Sequence, residues 1–308
     1  MKRLIIDTDP GVDDAHALLL ALAHRDVQVE AITTVNGNVG LDLTTANALK
    51  ILDAAGKDVA VYRGCDRPLI QRPEHAAHVH GIDGLGDCGR PASQKQAQPE
   101  HAVHALVRLA NENPGEFTLA AIGPLTNLAI ALSIDPDLPM KFRELVIMGG
   151  AIYGRGNTST VTAEFNIHAD PEAAHMVFSS WPMLTLLSWE TTLAHVLIRN
   201  VLERFFHLET PRAKFFHDTS QKLLGFTKER WGQDILFAPD GLALAVAVEP
   251  GIVTKSEKKY VSIELHGSHT RGQTVVDWYG QTQKPANTEI ILEVDQESFI
   301  QLMENGLS

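Results

Sequence analysis

Short runs of β-branched and aliphatic residues alternate along the chain with longer segments in which apolar residues recur at helical spacing. Residues 4–7 predict a first strand, and the Ala and Leu residues within 13–24 predict a helix directly after it. A second predicted helix at 43–55 ends at Gly56, a residue type that commonly ends helices. The further predicted strands are 29–35, 59–62, 117–122, 145–148 and 183–188.

This alternation predicts an α/β fold, with a mostly parallel, Rossmann-like central sheet that helices cover on both faces. No low-complexity linker divides the sequence, so we expect residues 1–308 to form a single domain. Residues 199–238 have a helical and more polar pattern, and we interpret them as a helical excursion from that domain. Residues 64–100 are rich in His, Gly, Asp and Pro, which predicts a long loop over a functional site.

Polar, glycine-rich segments follow several of the predicted strands at the point where each strand ends. In parallel sheets, ligands bind beyond the carboxyl ends of the strands, where such loops meet. We therefore expect one shared site at the C-terminal edge of the strands. The segments are Asp7-Thr8-Asp9-Pro10-Gly11, Asn36-Gly37-Asn38, Gly123-Pro124-Leu125-Thr126-Asn127 and Gly149-Gly150.

The charge of the chain limits its partners. With 26 Lys and Arg against 38 Asp and Glu, the formal net charge is −12, which disfavours binding to nucleic acid and to anionic membranes. Two cysteines, Cys65 and Cys88, are too few for a disulfide scaffold or a zinc ribbon. The N-terminus lacks the apolar run of a signal peptide and no apolar stretch is long enough to span a bilayer, so we expect a cytoplasmic protein.

Four carboxylates occur within eight positions of the first loop, at Asp7, Asp9, Asp13 and Asp14. Like charges packed this closely repel each other, and a hard cation such as calcium or magnesium, which prefers oxygen ligands, relieves the repulsion. Capping of the following helix explains one or two of these carboxylates, but not four. The cluster therefore favours a metal site.

The Asp7-Thr8-Asp9 spacing also fits a second interpretation, a metal-dependent phosphatase of the haloacid-dehalogenase type with a nucleophilic aspartate after its first strand. That interpretation expects a Lys or Arg for the phosphate and a later acidic pair for magnesium. No Asp-Asp pair follows Asp14, and a short motif without its context is weak support.

A set of polar and glycine-containing motifs occurs in order along the chain. The first is the segment Asp7-Thr8-Asp9-Pro10-Gly11-Val12-Asp13-Asp14-Ala15. The motifs that follow it are Thr34-Val35-Asn36-Gly37-Asn38, Gly64-Cys65-Asp66-Arg67-Pro68-Leu69, His78-Val79-His80-Gly81, Gly123-Pro124-Leu125-Thr126-Asn127, Met148-Gly149-Gly150, Ala163-Glu164-Phe165-Asn166 and Asp170-Pro171-Glu172-Ala173-Ala174. Taken together, these motifs resemble those of the inosine–uridine-preferring nucleoside hydrolase family over nearly the whole chain, and the first segment is similar to the family signature. The resemblance implies an enzyme that hydrolyses the N-glycosidic bond of ribonucleosides to free base and ribose.

The resemblance implies a calcium ion with ligands from distant parts of the chain. These are the carboxylates of Asp9, Asp14 and Asp240 and the backbone carbonyl of Ile122. Asp9 is also the implied general base, which takes a proton from a water on the calcium. The resemblance also implies that Asp7 lies behind the calcium ligands and supports them.

The resemblance also implies the residues that bind the nucleoside. His80 is expected near the base, and Asp13 is expected to hold the ribose 2′-hydroxyl. An oxocarbenium-like sugar carries positive charge in the transition state, and a carboxylate-rich site stabilises it. The residues implied for the rest of the ribose are Asn38, Met148, Asn157, Glu164 and Asn166.

Several of these residues have a simpler explanation when taken alone. Asn38 is a typical turn former at a strand end, and Asp240 fits an N-cap before an apolar helical run. Glu164 and Asn166 fit an exposed polar pair. His80 fits a solvated loop histidine.

The sequence departs from the family pattern at one position. Many members carry a His directly before the late calcium-binding Asp, where it helps to protonate the leaving base, and this chain has Pro239 there. Trp231 is the nearest substitute because it can stack on a base, although a packed aromatic is the simpler explanation. We hypothesise that His80 or a residue near Trp231 contacts the leaving base; other candidates are Lys228, Arg230 and His217.

Loss of that histidine leaves a non-enzymatic alternative open, a nucleoside- or ribose-binding protein with weak or no turnover. The alternative predicts affinity for calcium and ribose without hydrolysis. Family members are commonly dimers or tetramers, so the resemblance implies a homodimer or a homotetramer.

Overall fold

The structure, a computed structural model, describes residues 1–308 and contains twelve strands. Eight of them form one central sheet, and the other four form two short antiparallel pairs. The strands are β1 (Lys2–Thr8), β2 (Val27–Thr34), β3 (Ala60–Arg63), β4 (Phe117–Ala121), β5 (Glu144–Met148), β6 (Leu184–Leu187), β7 (Leu197–Ile198), β8 (Ile235–Leu236), β9 (Val253–Lys259), β10 (Val261–Ile263), β11 (Thr274–Val276) and β12 (Thr288–Val294).

The central sheet has the strand order β3-β2-β1-β4-β5-β6-β12-β9. All neighbouring strands pair in parallel except β12 and β9, which are antiparallel at one edge. The predicted mostly parallel sheet is therefore confirmed. All five residues of β4 are buried, which explains why the central strands have apolar runs rather than an alternating pattern.

Helices cover both faces of this sheet, as predicted. Leu4 and Ile6 belong to one buried core and Ile5 to a second, because successive residues of β1 point to opposite faces. The helices are α1 (Val12–Ala23), α2 (Leu41–Ala55), α3 (Ala77–His80), α4 (Ala102–Glu112), α5 (Thr126–Ile134), α6 (Phe165–Ala169), α7 (Pro171–Ser180), α8 (Trp189–Ala194), α9 (Arg199–Phe206), α10 (Pro211–Trp231), α11 (Pro239–Val248) and α12 (Gln296–Leu307).

The predicted strands and helices are all present, with ends displaced by one or two residues; β2, for example, begins at Val27 rather than at residue 29. Gly56 ends α2 in the left-handed conformation, with φ 63°. Strands β9 and β12 were not predicted. The sequence of β9 is rich in Lys, Glu and Ser, as expected of an edge strand, and so lacks an apolar run.

Residues 199–238 contain α9, α10 and strand β8, which pairs with β7. Helix α10 packs against α1, α2 and α3. That residues 1–308 form a single domain with this segment as an excursion stays a prediction. Helices α11 and α12 also pack against α1, so the helix that follows the first acidic loop is covered by late parts of the chain.

Candidate active site

The loops that follow β1, β2 and β4 meet at one edge of the central sheet, as expected. Ile122 donates its N–H to the carbonyl of Asp7 at 2.8 Å, and Asn38 donates its N–H to Asp9 Oδ2 at 2.7 Å. These bonds join the ends of neighbouring parallel strands. The first acidic loop is therefore the centre of the site.

A cluster of carboxylates lies at this edge. Oxygen atoms of Asp13, Asp14 and Asp240 lie within 4.8 Å of one another. They come from the first turns of α1 and α11, whose N-termini both favour negative charge. Asp9 is fully buried beside them: burial and then the Asp14 carboxylate are the main causes that raise the pKa of Asp9.

This cluster has almost no compensating positive charge. The one basic side chain within 4 Å of its carboxylates is His80, whose Nδ1 lies 3.5 Å from Asp13 Oδ1 and which burial keeps uncharged at neutral pH. Burial raises the pKa of Asp13 and of Asp14 to about 6, and the pKa of Asp240 well above its ordinary value. Asp9 Oδ1 and Asp13 Oδ1 are buried without a hydrogen-bond partner. Unpartnered carboxylate oxygens in such a cluster fit a hard divalent cation.

The carboxyl group of Asp9 lies between two glycines, Gly37 and Gly123, from the loops after β2 and β4. A Cβ atom at either position would lie inside contact distance of the Asp9 carboxyl group. No larger residue fits at these positions without displacing Asp9. Because Asn38 holds Oδ2, the other oxygen, Oδ1, is left for a ligand.

Three donors hold Asp14. The Thr8 hydroxyl donates to Oδ1 at 2.5 Å, and the Gly11 N–H and Asn38 Nδ2 donate to Oδ2 at 2.9 and 3.0 Å. Asn38 Nδ2 also lies 3.3 Å from the carbonyl of Asp9. Asn38 thus does more than form a turn, since its side chain orients two of the acidic residues.

Asp7 and Ile122 occupy different positions around the cluster. Asp7 is fully buried behind it and accepts hydrogen bonds from the Thr33 hydroxyl at 2.5 Å and Asn127 Nδ2 at 2.8 Å. Burial raises the pKa of Asp7 to about 7. Ile122 lines the cavity described below, and its carbonyl accepts a hydrogen bond from Asn166 Nδ2 at 3.0 Å.

Asp240 lies in the first turn of α11, and the explanation of Asp240 as an N-cap is wrong. The N-cap is Ala238, and the helix begins at Pro239. Proline is favoured at the first helical position because it has no N–H to satisfy and its φ angle suits a helix. Pro239 therefore has a local role, which is to start the helix that presents Asp240.

A cavity of about 200 Å³ opens beside the acidic cluster. Polar side chains predominate at one end, which we call the ribose end because the family resemblance implies that a ribose binds there. Three of the acidic residues, Asp7, Asp9 and Asp14, lie behind the lining rather than in it. The lining of the ribose end is Asp13, Asn38, Ile122, Met148, Asn157, Glu164, Asn166 and Asp240.

Glu164 and Asn166 are buried, at 2% and 5% exposure, so the explanation as an exposed polar pair is wrong. Glu164 caps α6 and accepts hydrogen bonds from the backbone N–H groups of Asn166, Ile167 and Gly150. Burial raises the pKa of Glu164 to about 7 despite these donors. Asn166 Nδ2 also lies 3.2 Å from the carbonyl of Met148.

The other end of the cavity, which we call the base end because the family resemblance implies a base near His80, is aromatic. Trp231 is 41% exposed at the last position of α10, and its ring meets the edges of Phe226 and Phe237 at 5.8 and 5.2 Å between centroids. Trp189 packs against Phe237 at 5.4 Å. Arg230 places its guanidinium 5.2 Å from the Trp231 ring centre. It is the one Lys or Arg side chain in the lining.

His80 ends helix α3, lines the cavity and is 8% exposed, so it is not a solvated loop residue. Burial lowers its pKa to about 4. Its Nδ1 accepts the Val12 N–H at 3.2 Å, which leaves the ring proton on Nε2. His80 is therefore a neutral hydrogen-bond donor at neutral pH.

Sequence reasoning missed most of the base end. Leu223, Phe226, Thr227, Arg230 and Trp231 all line the cavity from α10. Their spacing of three to four residues places them on one face of the helix, and that periodicity was the available signal. Of the other candidates, Lys228 pairs with Asp234 instead, and neither Lys228 nor His217 lines this cavity.

Comparison with known proteins agrees with this geometry. The model of the inosine-uridine preferring nucleoside hydrolase family matches residues 4–301, and the chain belongs to that family. It is therefore an N-glycosyl hydrolase of the class that acts on ribonucleosides. No helix has both the length and the apolarity needed to cross a membrane.

Individual relatives are similar over their whole length. An inosine-uridine preferring nucleoside hydrolase of Crithidia fasciculata is 35% identical over 99% of this chain and 97% of its own. A pyrimidine-specific ribonucleoside hydrolase, RihB, of Escherichia coli O9:H4 (strain HS) is 34% identical over 98% and 96%. The solved structure of an inosine-guanosine nucleoside hydrolase has a TM-score of 0.92 at 34% identity, over 99% and 98%. The bases in these names differ, so family membership does not fix base preference.

Proposed function

We propose that this protein hydrolyses the N-glycosidic bond of ribonucleosides in a calcium-dependent reaction in which Asp9 activates the water. The observation that carries the proposal is the buried acidic cluster, whose oxygens Asp9 Oδ1 and Asp13 Oδ1 have no partner. It lies beside a cavity with a polar end and an aromatic end. Those two ends suit a ribose and a base.

The carboxylates of Asp9, Asp14 and Asp240 and the carbonyl of Ile122 would hold the calcium. Oxygen donors of this kind, several of them charged, are the ligands calcium prefers. A bound calcium ion would lower the pKa of the attacking water and orient it. Asp13 is close enough to join the ligands, but its position in the cavity lining favours the ribose 2′-hydroxyl.

The remaining residues of the ribose end would bind and orient the sugar. Asn38, Asn157, Glu164 and Asn166 would bind hydroxyl groups, with Met148 against the ring. Hydrogen bonds hold Asn38, Glu164 and Asn166 in place before the substrate arrives, and such preorganisation lowers the cost of reaching the transition state.

The reaction would transfer one proton and break one bond at the ribose. Asp9 takes a proton from the water as its oxygen bonds to C1′, and the electron pair of the C1′–N bond goes to the base. Positive charge on the sugar is greatest midway, and the acidic cluster stabilises it. Asp7, behind the cluster, supports Asp9 and its neighbours.

The departing base gains negative charge, and Pro239 offers it no proton. His80 would donate a hydrogen bond from Nε2, and Trp231 would stack on the base. Arg230 has no carboxylate partner in the protein, in contrast to Lys228, and lines the base end. Its permanent positive charge would stabilise the base as it leaves, after which the base takes a proton from solvent.

Pro239 also supports a second candidate, a nucleoside- or ribose-binding protein with little or no turnover. The resemblance further supports a cytoplasmic role in nucleoside salvage. It also supports a homodimer or homotetramer, and light scattering of the purified protein tests this oligomeric state. The phosphatase alternative has less support, since Arg230 at the base end is the sole Lys or Arg in the cavity lining.

The decisive experiment is ribose release from a panel of purine and pyrimidine ribonucleosides, with added calcium and with a chelator. The proposal expects release that the chelator suppresses and calcium restores. Calcium and ribose binding without release would favour the binding protein. Release unaffected by the chelator would contradict the role of the acidic cluster.

A further inference from the structure

We propose that Glu190 is a positioning residue for nucleoside hydrolysis. It holds the loop of residues 150–157, which brings Asn157 to the ribose end of the cavity, in one conformation. Glu190 does not line the cavity and acts through that loop. The inference rests on the proposed function, because it takes Asn157 to bind a ribose hydroxyl.

The carboxylate of Glu190 accepts three backbone N–H groups from this loop. Oε2 accepts from Ile152 at 2.9 Å, and Oε1 accepts from Tyr153 at 2.8 Å and Arg155 at 3.3 Å. Hydrogen bonds to an ionised carboxylate are stronger than those between neutral groups. Three such bonds within four consecutive residues hold the first half of the loop to helix α8.

Gly150 and Ile152 are also held by other contacts, since Gly150 bonds to Glu164 and Ile152 is buried in the core at 4% exposure, but the residues between Ile152 and Asn157 have few other attachments. Gly154 donates its N–H to Ala151 within the loop itself, and Tyr153 is 59% exposed with its ring stacked on Trp278 at 5.2 Å. The second half is held separately, since Asn157 donates its N–H to Ala163 at 3.1 Å. Without Glu190, residues 153–155 would have no hydrogen bond to any part of the protein outside the loop.

The position of Glu190 also relates the two ends of the cavity. The preceding residue, Trp189, lines the base end and packs on Phe237. The Trp189 N–H donates to the carbonyl of Gly150 at 2.9 Å. The first turn of α8 therefore carries an aromatic wall of the base end and anchors a loop of the ribose end. Glu190 fixes the spacing between them.

The test compares Glu190→Ala, Glu190→Gln, Asn157→Ala and the double variant Glu190→Ala/Asn157→Ala in calcium, using the ribonucleoside that the wild-type enzyme cleaves fastest. We expect Glu190→Ala to lower kcat/KM about 10- to 100-fold, as misplaced binding groups do. Glu190→Gln should recover part of this, because its amide oxygen still accepts. The double variant should be no slower than Asn157→Ala, since one side chain acts through the other.

Glu264→Ala is the matched control. Glu264 also accepts two backbone N–H groups of a loop, from His266 and Gly267, but neither of the residues that it holds lines the cavity. We expect unchanged kcat/KM for this variant. Thermal melting of each variant shows whether it is folded.

The outcomes separate the inference from the function it rests on. If Asn157→Ala is slow and Glu190→Ala is as fast as the wild type, the positioning role is wrong. Losses that multiply in the double variant would also overturn it, because they show that Glu190 acts independently of Asn157. Wild-type protein without turnover, or Asn157→Ala with full activity, would instead count against the proposed function or its assignment of Asn157.

Discussion

The two ends of the cavity are built in different ways. The ribose end is formed largely by loops at the ends of adjacent strands, and Asn38, Glu164 and Asn166 in it are buried and held by hydrogen bonds. The base end is formed mainly by side chains on one face of α10 and by aromatics that touch edge to face. Trp231 in it is 41% exposed.

The difference shows where this fold demands particular residues. A buried carboxylate needs hydrogen-bond donors, glycines beside it that leave it room, and a cation, and it needs all of them together. The reason is that an unsatisfied buried charge is costly. An aromatic wall needs only apolar bulk of suitable shape, and many side chains supply that. We expect chemistry to depend on the ribose end and substrate choice to depend on the base end.

The largest effect should come from Asp9. Asp9→Ala removes both a proposed calcium ligand and the proposed general base, and we expect kcat to fall by at least about a thousandfold. Ribose release in calcium measures it, and the melting temperature with a chelator present checks the fold. An Asp9→Ala protein with wild-type kcat would contradict the mechanism.

Arg230 tests whether the base end also takes part in chemistry. For a natural ribonucleoside we expect Arg230→Gln to lower kcat/KM about 10- to 100-fold, because a charge-assisted contact to the leaving base is lost. With 4-nitrophenyl riboside, whose leaving group needs no assistance, the loss should be small. Lys228→Gln is the control, since Lys228 is exposed on the same helix and pairs with Asp234. Equal losses on both substrates would show that Arg230 does not stabilise the leaving group.

Trp231 should affect substrate choice more than rate. Stacking of a base on an aromatic side chain contributes about 1–3 kcal/mol to binding. Because Trp231→Ala removes this contribution, we expect KM to rise about tenfold for the preferred nucleoside, with kcat little changed. Trp231→Phe keeps an aromatic ring and should lose less. Steady-state kinetics over the nucleoside panel measures both, and an unchanged KM for every nucleoside would remove the stacking role.

Glu164 should affect stability at the ribose end in a pH-dependent way. Its pKa is raised to about 7 in the folded protein from an ordinary 4.5, so the folded state holds a proton that the unfolded state has lost between these values. Stability of the metal-free protein should therefore fall as pH rises through this window, by up to about 1.4 kcal/mol per pH unit from this group.

Glu164→Gln removes this titration and is the comparison for that prediction. Urea unfolding in chelator at pH 5, 6, 7 and 8 should show wild-type stability declining relative to the variant up to about pH 7, then running parallel to it. A constant difference across the series would mean that Glu164 is ionised in the fold throughout.

Much of the fold and of the ribose end could be predicted from the sequence. Buried parallel strands leave apolar runs, Asp9 and Asn38 stand in short local motifs just after strand ends, and Glu164 stands in a short motif at the start of α6. Strand β9 was not predicted because it has the charged residues typical of an edge strand and lacks the apolar run of a core strand.

The base end could not be predicted in the same way. It depends on how α10 lies relative to α8 and the start of α11, and tertiary packing sets that arrangement. Trp189 and Phe237 meet across this junction, although 48 positions separate 189 from 237 in the sequence. No pattern of neighbouring residues in the sequence predicts such a contact. The position of Asp240 was also not predicted correctly. Asp240 is the second residue of α11, because the helix begins at Pro239.

The acidic cluster joins residues that are far apart in the sequence. Asp14 and Asp240 are separated by 226 positions, and helices α11 and α12, which cover α1, also come late in the chain. Because translation runs from the N-terminus to the C-terminus, a nascent chain that has not yet reached Asp240 and α11 cannot complete the proposed cation site.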